Sequence, residues 1–269
     1  NTIAFNGGAT GSVSMYFNGA GGWLLSGNLT STGHTFFARG TLDFGASNIT
    51  TNSFTEGRDP FGNTFASVEP RSLNLGSSVI NLTGSNGYIS STPSWIYTGT
   101  NLNAGTSKIN LTRAATSNLL KQPFYGKNGH TYYDVAFTNV TPSPNDYSRH
   151  EIISASSSDN VNFNTLSFAA DGNINNNGVI NRLEVAKSGK YLIYGRTINS
   201  IIDNTLDCET KWELSIPQYS GYVLTSPNPI TLNNVVLKNV VKAGVGPFTV
   251  NNGLDLGGNT GWIFNNIGK

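Results

Sequence analysis

The chain has 269 residues, of which 37% are hydrophobic, 11% aromatic and only 12% charged, and its formal net charge is +1. This apolar content is enough for a core and excludes a disordered chain. Sixteen Lys and Arg residues among fifteen Asp and Glu residues indicate no basic face, so we expect no nucleic-acid partner. No apolar run reaches about 18 residues, which predicts no insertion into a membrane. The single cysteine, Cys208, excludes an intrachain disulfide.

The first 70 residues are typical of short strands separated by turns. Val13, Met15 and Phe17 alternate with polar residues, as in a half-buried strand. Residues 55–70 are more polar and include two prolines, which predicts a loop that leaves the regular structure. Residue 1 is Asn rather than Met, and we expect the rest of a larger polypeptide around this chain.

A repeated phrase dominates residues 71–113. RSLNLGSSVINLTG begins at Arg71 and TNLNAGTSKINLTR begins at Thr100, and eight of eleven positions are identical when Leu73 is aligned with Leu102, 29 residues later. A looser copy, TLDFGASNITT, aligns from Leu42, 31 residues before Leu73, and a shortened echo, LDLGGNTGWIF, begins at Leu254. A period of this size is typical of stacked repeats.

The phrase has a simple physical interpretation as strand, corner, strand and turn. Leu73 and Leu75 face one side of an extended chain, because side chains alternate along a strand. Gly76 then allows a bend, and residues 79–83 resume a strand rich in β-branched side chains. Such units bury their apolar faces only by stacking, so we predict one all-β domain over 1–269, a parallel β-helix with loop insertions. Its leucines 42, 73 and 102 should form one inward column. A β-sandwich with two similar hairpins is the alternative fold.

The second half of the chain departs from the repeat and then returns to short strands. Residues 114–150 contain a Lys-Asn-Gly-His turn flanked by aromatic pairs and a proline-containing stretch, which predicts an irregular insertion. Residues 151–269 again contain short apolar runs. No convincing amphipathic helix occurs, so we predict very little helix.

Five stretches together carry a family resemblance: GGWLLSGNLTSTG, RSLNLGSSVINLTG, LNAGTSKINLT, FYGKNGHTYYDVAFTNV and LDLGGNTGWIF. As a set they resemble the β-strand-repeat surface proteins of Bacteroidetes, which are secreted or displayed as large adhesin-like chains, and they are similar to stretches of environmental phage tail proteins. The resemblance covers most of residues 20–140 and about the last dozen residues. It implies a right-handed parallel β-helix at a cell or virion surface, with Trp262 and Phe264 covering the open end of the core. It implies no active site, so no catalytic residue is expected.

One stretch has the spacing of a calcium loop. Asp171, Asn173 and Asn175 occupy every second position, as the first ligands of such a loop do. The sixth position is Asn176 rather than Gly and the twelfth is Arg182 rather than a carboxylate. The sequence therefore predicts no cofactor other than a weak Ca²⁺ site here, and an Asn-rich turn is the other interpretation.

Acidic and histidine residues offer a second kind of chemistry. Asp203, Asp207, Glu209 and Glu213 form an acidic cluster that could supply the paired carboxylates of a polysaccharide-acting β-helix enzyme, or could lie on an exposed strand face. The three histidines are far apart in sequence and lack the paired spacing of a metal site.

Aromatic side chains supply the candidate binding residues. Tyr and Trp can stack on sugars or contact a protein partner, because each has an apolar body and a polar tip. The candidates for an outward-facing ligand groove are Trp95, Tyr97, Tyr132, Tyr133 and Trp212.

Together these patterns favour a non-enzymatic, extracellular β-helical module of a large surface protein that provides structure and adhesion. Its expected partners are a glycan or another surface protein. A receptor-binding or structural protein of a phage tail, located in the virion, is one alternative. A polysaccharide-acting β-helix enzyme is the other, and two carboxylates in one cleft would distinguish it.

Overall fold

The computed structural model of the chain describes residues 2–11, 13–56, 70–84, 95–113, 122–140, 150–154, 159–186, 188–203, 210–217 and 221–265. Within these ranges every regular element is a β-strand, as the scarcity of helical patterns predicted. No helix long and apolar enough to cross a membrane occurs among these described residues.

The strands, in chain order, are β1 (Thr2–Gly11), β2 (Met15–Ser31), β3 (Thr35–Asp43), β4 (Asn48–Thr51), β5 (Phe54–Glu56), β6 (Arg71–Asn74), β7 (Val79–Leu82), β8 (Trp95–Ile96), β9 (Asn101–Asn103), β10 (Lys108–Leu111), β11 (Gln122–Gly126), β12 (Thr131–Phe137), β13 (His150–Ser154) and β14 (Asn162–Phe168). They continue with β15 (Gly172–Asn175), β16 (Val179–Val185), β17 (Lys190–Ile193), β18 (Arg196–Ile198), β19 (Ile201–Asp203), β20 (Trp212–Ser215), β21 (Leu224–Ser226), β22 (Ile230–Asn233), β23 (Val235–Lys238), β24 (Lys242–Gly244), β25 (Phe248–Asn251), β26 (Leu254–Asp255) and β27 (Trp262–Asn265).

Parallel pairing defines the architecture. Twenty-four strands form one sheet and β22, β25 and β27 form a second, and every pairing between the described strands is parallel. Each strand pairs with strands one turn of the chain earlier and later, such as β4 with β7 and β7 with β10. We call each such turn a coil. The architecture is β-helix-like, and the alternative β-sandwich is wrong because its sheets would be antiparallel.

The repeated leucines occupy one column, as predicted. Leu42 pairs with Leu73, and Leu73 pairs with Leu102, in strands β3, β6 and β9. Leu42 and Leu73 are fully buried, whereas Leu102 is partly buried against the same core. The 29- and 31-residue spacings therefore correspond to one coil each, and equivalent side chains pack against their own counterparts.

The Asp or Asn residue that follows each of these leucines stabilises the turn between two strands of a coil. The Asp43 carboxylate accepts a hydrogen bond from the N–H of Gly45 (2.8 Å), and Asn74 and Asn103 do the same for the glycines two positions on (3.2 Å each). Asp255 repeats this contact in the closing echo. The Leu-Asx-x-Gly pattern is therefore an Asx-type turn that folds the chain from one strand into the next.

The corner glycines stack on one another so closely that a side chain does not fit. Gly45, Gly76 and Gly105 have φ values of 57°, 57° and 55°. A Cβ on Gly76 would lie 2.1 Å from the carbonyl oxygen of Gly45, and one on Gly105 would lie 2.0 Å from that of Gly76. Those carbonyls accept ladder hydrogen bonds from Ser77 (2.8 Å) and Thr106 (2.7 Å). Glycine is thus required for both its conformation and its lack of a side chain.

Large aromatic rings fill the interior. Phe54, Trp95 and Phe124 stack in successive coils, with ring centroids 4.5 and 5.8 Å apart. Outside the core, amide side chains form ladders along the stack, as between Asn110 and Asn81 (2.8 Å). The stack is held by repeated apolar and amide contacts between equivalent positions, which a parallel register allows.

The predicted insertion at 114–150 is wrong for its central part. Strands β11 and β12 lie within it and pair in register with strands on both sides, β11 with β8 and β13 and β12 with β10 and β14. Residues 114–121 and 141–149 lie outside the described residues, as does most of the predicted loop at 55–70. The aromatic pairs that flank the Lys-Asn-Gly-His turn lie in these two strands.

Replacing Gly76 by Ala should lower the free energy of unfolding by about 3 kcal/mol or more, because the variant combines left-handed strain with a backbone clash. Gly221→Ala is the matched control, since Gly221 also has a positive φ of 62° but open space around its missing Cβ. It should lose only about 1–2 kcal/mol. Chemical denaturation of both variants measures the difference, and equal losses would contradict the close contact.

A candidate binding groove at one corner of the stack

A groove runs along one corner of the stack across five successive coils. It is lined by residues from segments 128–129, 160–162, 177–179, 195–197 and 221–225, and its volume is about 680 Å³. Each segment lies where one strand ends and the next begins. At about 4.8 Å between paired strands, five coils give the groove a length of about 19 Å.

Asparagine side chains line the part of this corner formed by residues 128 to 179. The Asn128 side-chain oxygen accepts from the N–H of Asn160 (3.0 Å), and that of Asn162 accepts from the N–H of Val179 (2.8 Å). Asn160 and Asn177 form an isolated parallel bridge. These short amides continue the hydrogen bonding between coils where the backbone turns away from the regular ladder. Their remaining amide groups make the groove surface polar without adding charge.

At the end of the groove formed by residues 195 and 222, the Tyr222 ring forms a wall and packs on Gly195. A Cβ on Gly195 would lie 2.7 Å from Cδ1 of the Tyr222 ring, so the ring packs directly onto the glycine backbone. Tyr194 contacts the same ring edge-on, with centroids 5.7 Å apart. Tyr222 is half-buried against the core. The ring is thereby held in place while part of it faces the groove.

Arg196 is the basic residue of the groove lining. Its side chain points inward and is only 3% exposed. The guanidinium donates to the carbonyl oxygens of Val161 and Asn176 and to the Asn176 side-chain oxygen, and lies over the Phe163 ring at 5.4 Å. Burial lowers the pKa of Arg196 to about 9, so it remains protonated at neutral pH.

The predicted aromatic site is wrong for four of its five residues. Trp95, Tyr97, Tyr132 and Trp212 are completely buried in the core. Their polar atoms bond inside the protein, as when Trp95 Nε1 donates to the Tyr132 hydroxyl (3.2 Å) and Trp212 Nε1 to the Asn233 carbonyl (3.0 Å). Only Tyr133 is on the surface, at 38% exposure, and it does not line the groove. Composition alone could not separate core from surface aromatics, because both alternate with polar residues.

The predicted calcium loop is a strand instead. Asn173 and Asn175 lie in β15 and Asp171 directly precedes it. Alternate residues of a strand are about 6.6 Å apart, too far for three side chains to surround one ion with bonds of about 2.4 Å. The Asp171 carboxylate accepts from the N–H of Lys190 (2.7 Å), and the Asn173 amide donates to Glu151 (3.2 Å). These contacts join neighbouring strands.

The remaining titratable candidates do not meet at one place. Asp203 accepts from the N–H of Asn233 (2.7 Å), and it lies in β19, which does not pair with the β20 strand that carries Glu213. Asp207, Cys208 and Glu209 lie outside the described residues. The histidines bond separately, His34 to Ser53 (2.7 Å), His130 to Gly99 (3.1 Å) and His150 to Asp171 (3.0 Å). In the described ranges no group of three or more His, Cys, Asp or Glu side chains could hold a metal.

A buried polar cluster lies inside the stack around Glu56 and Arg71. Glu56 forms an ion pair with Arg71, and its other oxygen accepts from the N–H of Thr98. Burial raises the pKa of the Glu56 carboxyl, against the opposing effects of the Thr98 hydrogen bond and Arg71. The Tyr97 hydroxyl donates to the carbonyl of Asn101 (2.6 Å), and burial raises its pKa as well. Because Glu56 and Tyr97 are buried and Arg71 is largely buried beside them, we interpret the cluster as structural.

Comparison of the chain with models of known protein families, with curated proteins and with solved structures gives no match. The function is therefore argued from the groove itself. The candidate site residues predicted from the sequence did not include Tyr222, Arg196 or the corner asparagines. The signal that could have found them is the recurrence of Asn-Gly pairs, at 128–129 and 177–178, and of lone glycines between strands.

Arg71→Met should destabilise the protein by about 3–5 kcal/mol at neutral pH, because it leaves the Glu56 charge buried without its cation. Glu56→Gln/Arg71→Met should recover most of that loss, since the glutamine is neutral. Denaturation of the two single variants and the double variant forms the cycle. Additive losses would contradict a coupled pair.

The same pair predicts a pH dependence. Because the folded-state pKa of Glu56 is raised above 4.5, its contribution to stability is complete below that pH and is lost as the pH rises through the folded-state value. Glu56→Gln should therefore flatten the fall in stability over this window. Denaturation curves from pH 4 upward measure the effect, and an unchanged slope would argue against a raised pKa of Glu56.

Proposed function

We propose that this chain is a non-enzymatic, extracellular β-helical module of a larger surface protein, and that it binds a glycan along the corner groove. The observation that carries the proposal is the groove itself, which spans five coils and is lined by amides, glycines and one tyrosine ring. Its length suits an extended chain-like ligand better than a compact metabolite.

The finer architecture belongs to this proposal. We infer a right-handed helix, since parallel strands joined by crossover connections are right-handed in nearly all proteins. We also infer that the last coil acts as a cap. Trp262 and Phe264 are half-buried against the core, and Trp262 Nε1 donates to the carbonyl of Val240 (3.0 Å). A stack of repeats needs such a cover over its terminal apolar surface.

The chemistry of the lining supports binding of sugars. Amide groups donate and accept hydrogen bonds as sugar hydroxyls do, and the Tyr222 ring can stack on the apolar face of a sugar. The rigid backbone of the corner supplies these groups without ordering a loop, which lowers the entropic cost of binding. Among the described residues that line the groove there is no Asp or Glu, so these residues do not supply the acid and base that hydrolysis of a glycosidic bond uses.

A glycan array with the purified protein tests the proposal, followed by titration of the oligosaccharides that bind. Tyr222→Ala should weaken binding by about tenfold or more, because it removes the stacking surface. Tyr133→Ala is the matched control, since it removes an exposed tyrosine outside the groove and should leave affinity unchanged. Binding that responds equally to both substitutions, or no binding to any glycan, would overturn the proposal.

Gly195→Ala tests the groove shape without removing any functional group. The new Cβ would push the Tyr222 ring out of position, so affinity should fall severalfold while the fold persists, because no positive φ is involved. Gly21→Ala is the control, since its Cβ would meet nothing within 4 Å. Titration calorimetry measures both affinities, and melting temperatures check the fold. Unchanged affinity in Gly195→Ala would contradict a role for the ring.

A further inference from the structure

We propose that the groove selects a sparsely charged acidic polysaccharide, one that carries a single acidic group among several neutral sugars. This inference rests on the proposed glycan binding and adds the ligand's charge.

Arg196 places a positive charge beneath the groove floor with no carboxylate to neutralise it. The ion pairs within the described ranges join Arg71 to Glu56 and Arg182 to Glu184, and neither includes Arg196. Its guanidinium is held by neutral oxygens, the carbonyls of Val161 and Asn176 and the Asn176 amide. These dipoles solvate the cation but leave its net charge in place, and a buried charge acts over a longer range than an exposed one.

The rest of the corner does not cancel this charge. Within the described part of the chain, no Asp or Glu lines the groove. At the end of the groove formed by residues 128 and 160, Lys127 precedes Asn128 and Asp159 precedes Asn160. One positive and one negative charge therefore flank that end and offset each other. A charged ligand that enters the groove therefore meets a net positive potential, which favours an anion over a neutral or cationic chain.

The single positive charge of Arg196 limits how closely acidic groups can be spaced along a bound polysaccharide. One uncompensated cation serves a groove about 19 Å long. A chain with an acidic group on every sugar would place several anions there, and all but one would lie without a counter-charge in a lining of amides. A chain with one acidic group per several sugars satisfies the cation and leaves hydroxyls to meet the asparagines. The same count disfavours nucleic acid, whose phosphates are closely spaced.

Three oligosaccharides of equal length test the inference: one with a single internal uronic acid, the same compound as its methyl ester, and one with an acid on every sugar. Titration of the wild-type protein at low salt should give about tenfold tighter binding of the single acid than of the ester. Raising the salt should reduce that preference, and the fully acidic chain should bind no tighter than the single acid.

Arg196→Met removes the charge while keeping most of the side-chain volume, and its melting temperature reports whether it folds. A folded variant should bind the acid and the ester equally, at the affinity the ester has for the wild type. If the variant does not fold, the salt dependence of the wild type decides the question. Equal binding of acid and ester by the wild type overturns the charge inference but leaves glycan binding intact. Binding that is insensitive to Tyr222→Ala overturns the proposed function instead.

Discussion

The parallel contact of equivalent backbone segments, one coil apart, is the constraint on which this structure depends. At the Gly45–Gly76–Gly105 corner, the carbonyls of Gly45 and Gly76 each accept a hydrogen bond from the next coil, and each lies so close to the next glycine that a Cβ would not fit. The Asx side chain two residues earlier fixes the same turn through the glycine N–H. Once this corner is set, the leucine column, the aromatic stack and the amide ladders follow, because each residue meets the equivalent residue of its neighbouring coil.

The groove arises from the same constraint at another corner, where the repeat is less regular. There the coils turn with asparagine and glycine but without the Leu-Asx-x-Gly phrase, so the corner is recessed and its hydrogen bonds use side-chain amides. Tyr222 and Arg196 then decide its chemistry from opposite sides: the ring lies at the surface on Gly195, and the cation lies inside beneath the floor. The groove thus follows from small departures from a regular stack.

The buried charges inside the stack are compensated differently from the buried charge at the groove. Glu56 and Arg71 neutralise each other as an ion pair, so the burial of each charge is compensated by its partner. Arg196 is compensated only by dipoles. Because its charges cancel, the Glu56–Arg71 pair is interpreted as structural. The Arg196 charge is not cancelled by a carboxylate, so it is interpreted as a source of positive electrostatic potential in the groove.

The sequence by itself determined the all-β content, the length of a coil and the inward column of Leu42, Leu73 and Leu102. These features depend on the local alternation of apolar and polar residues and on a repeat that can be recognised in the sequence of each copy. The sequence also indicated the glycine corners. Only the tertiary structure decided which aromatics are buried, that residues 122–137 belong to the stack and that Asp171, Asn173 and Asn175 lie along a strand. It alone brought residues 128, 160, 177, 196 and 222 into one groove. The physical reason is that a parallel stack joins residues about 20 to 30 positions apart at about 4.8 Å, and their register depends on loop lengths that local patterns do not encode.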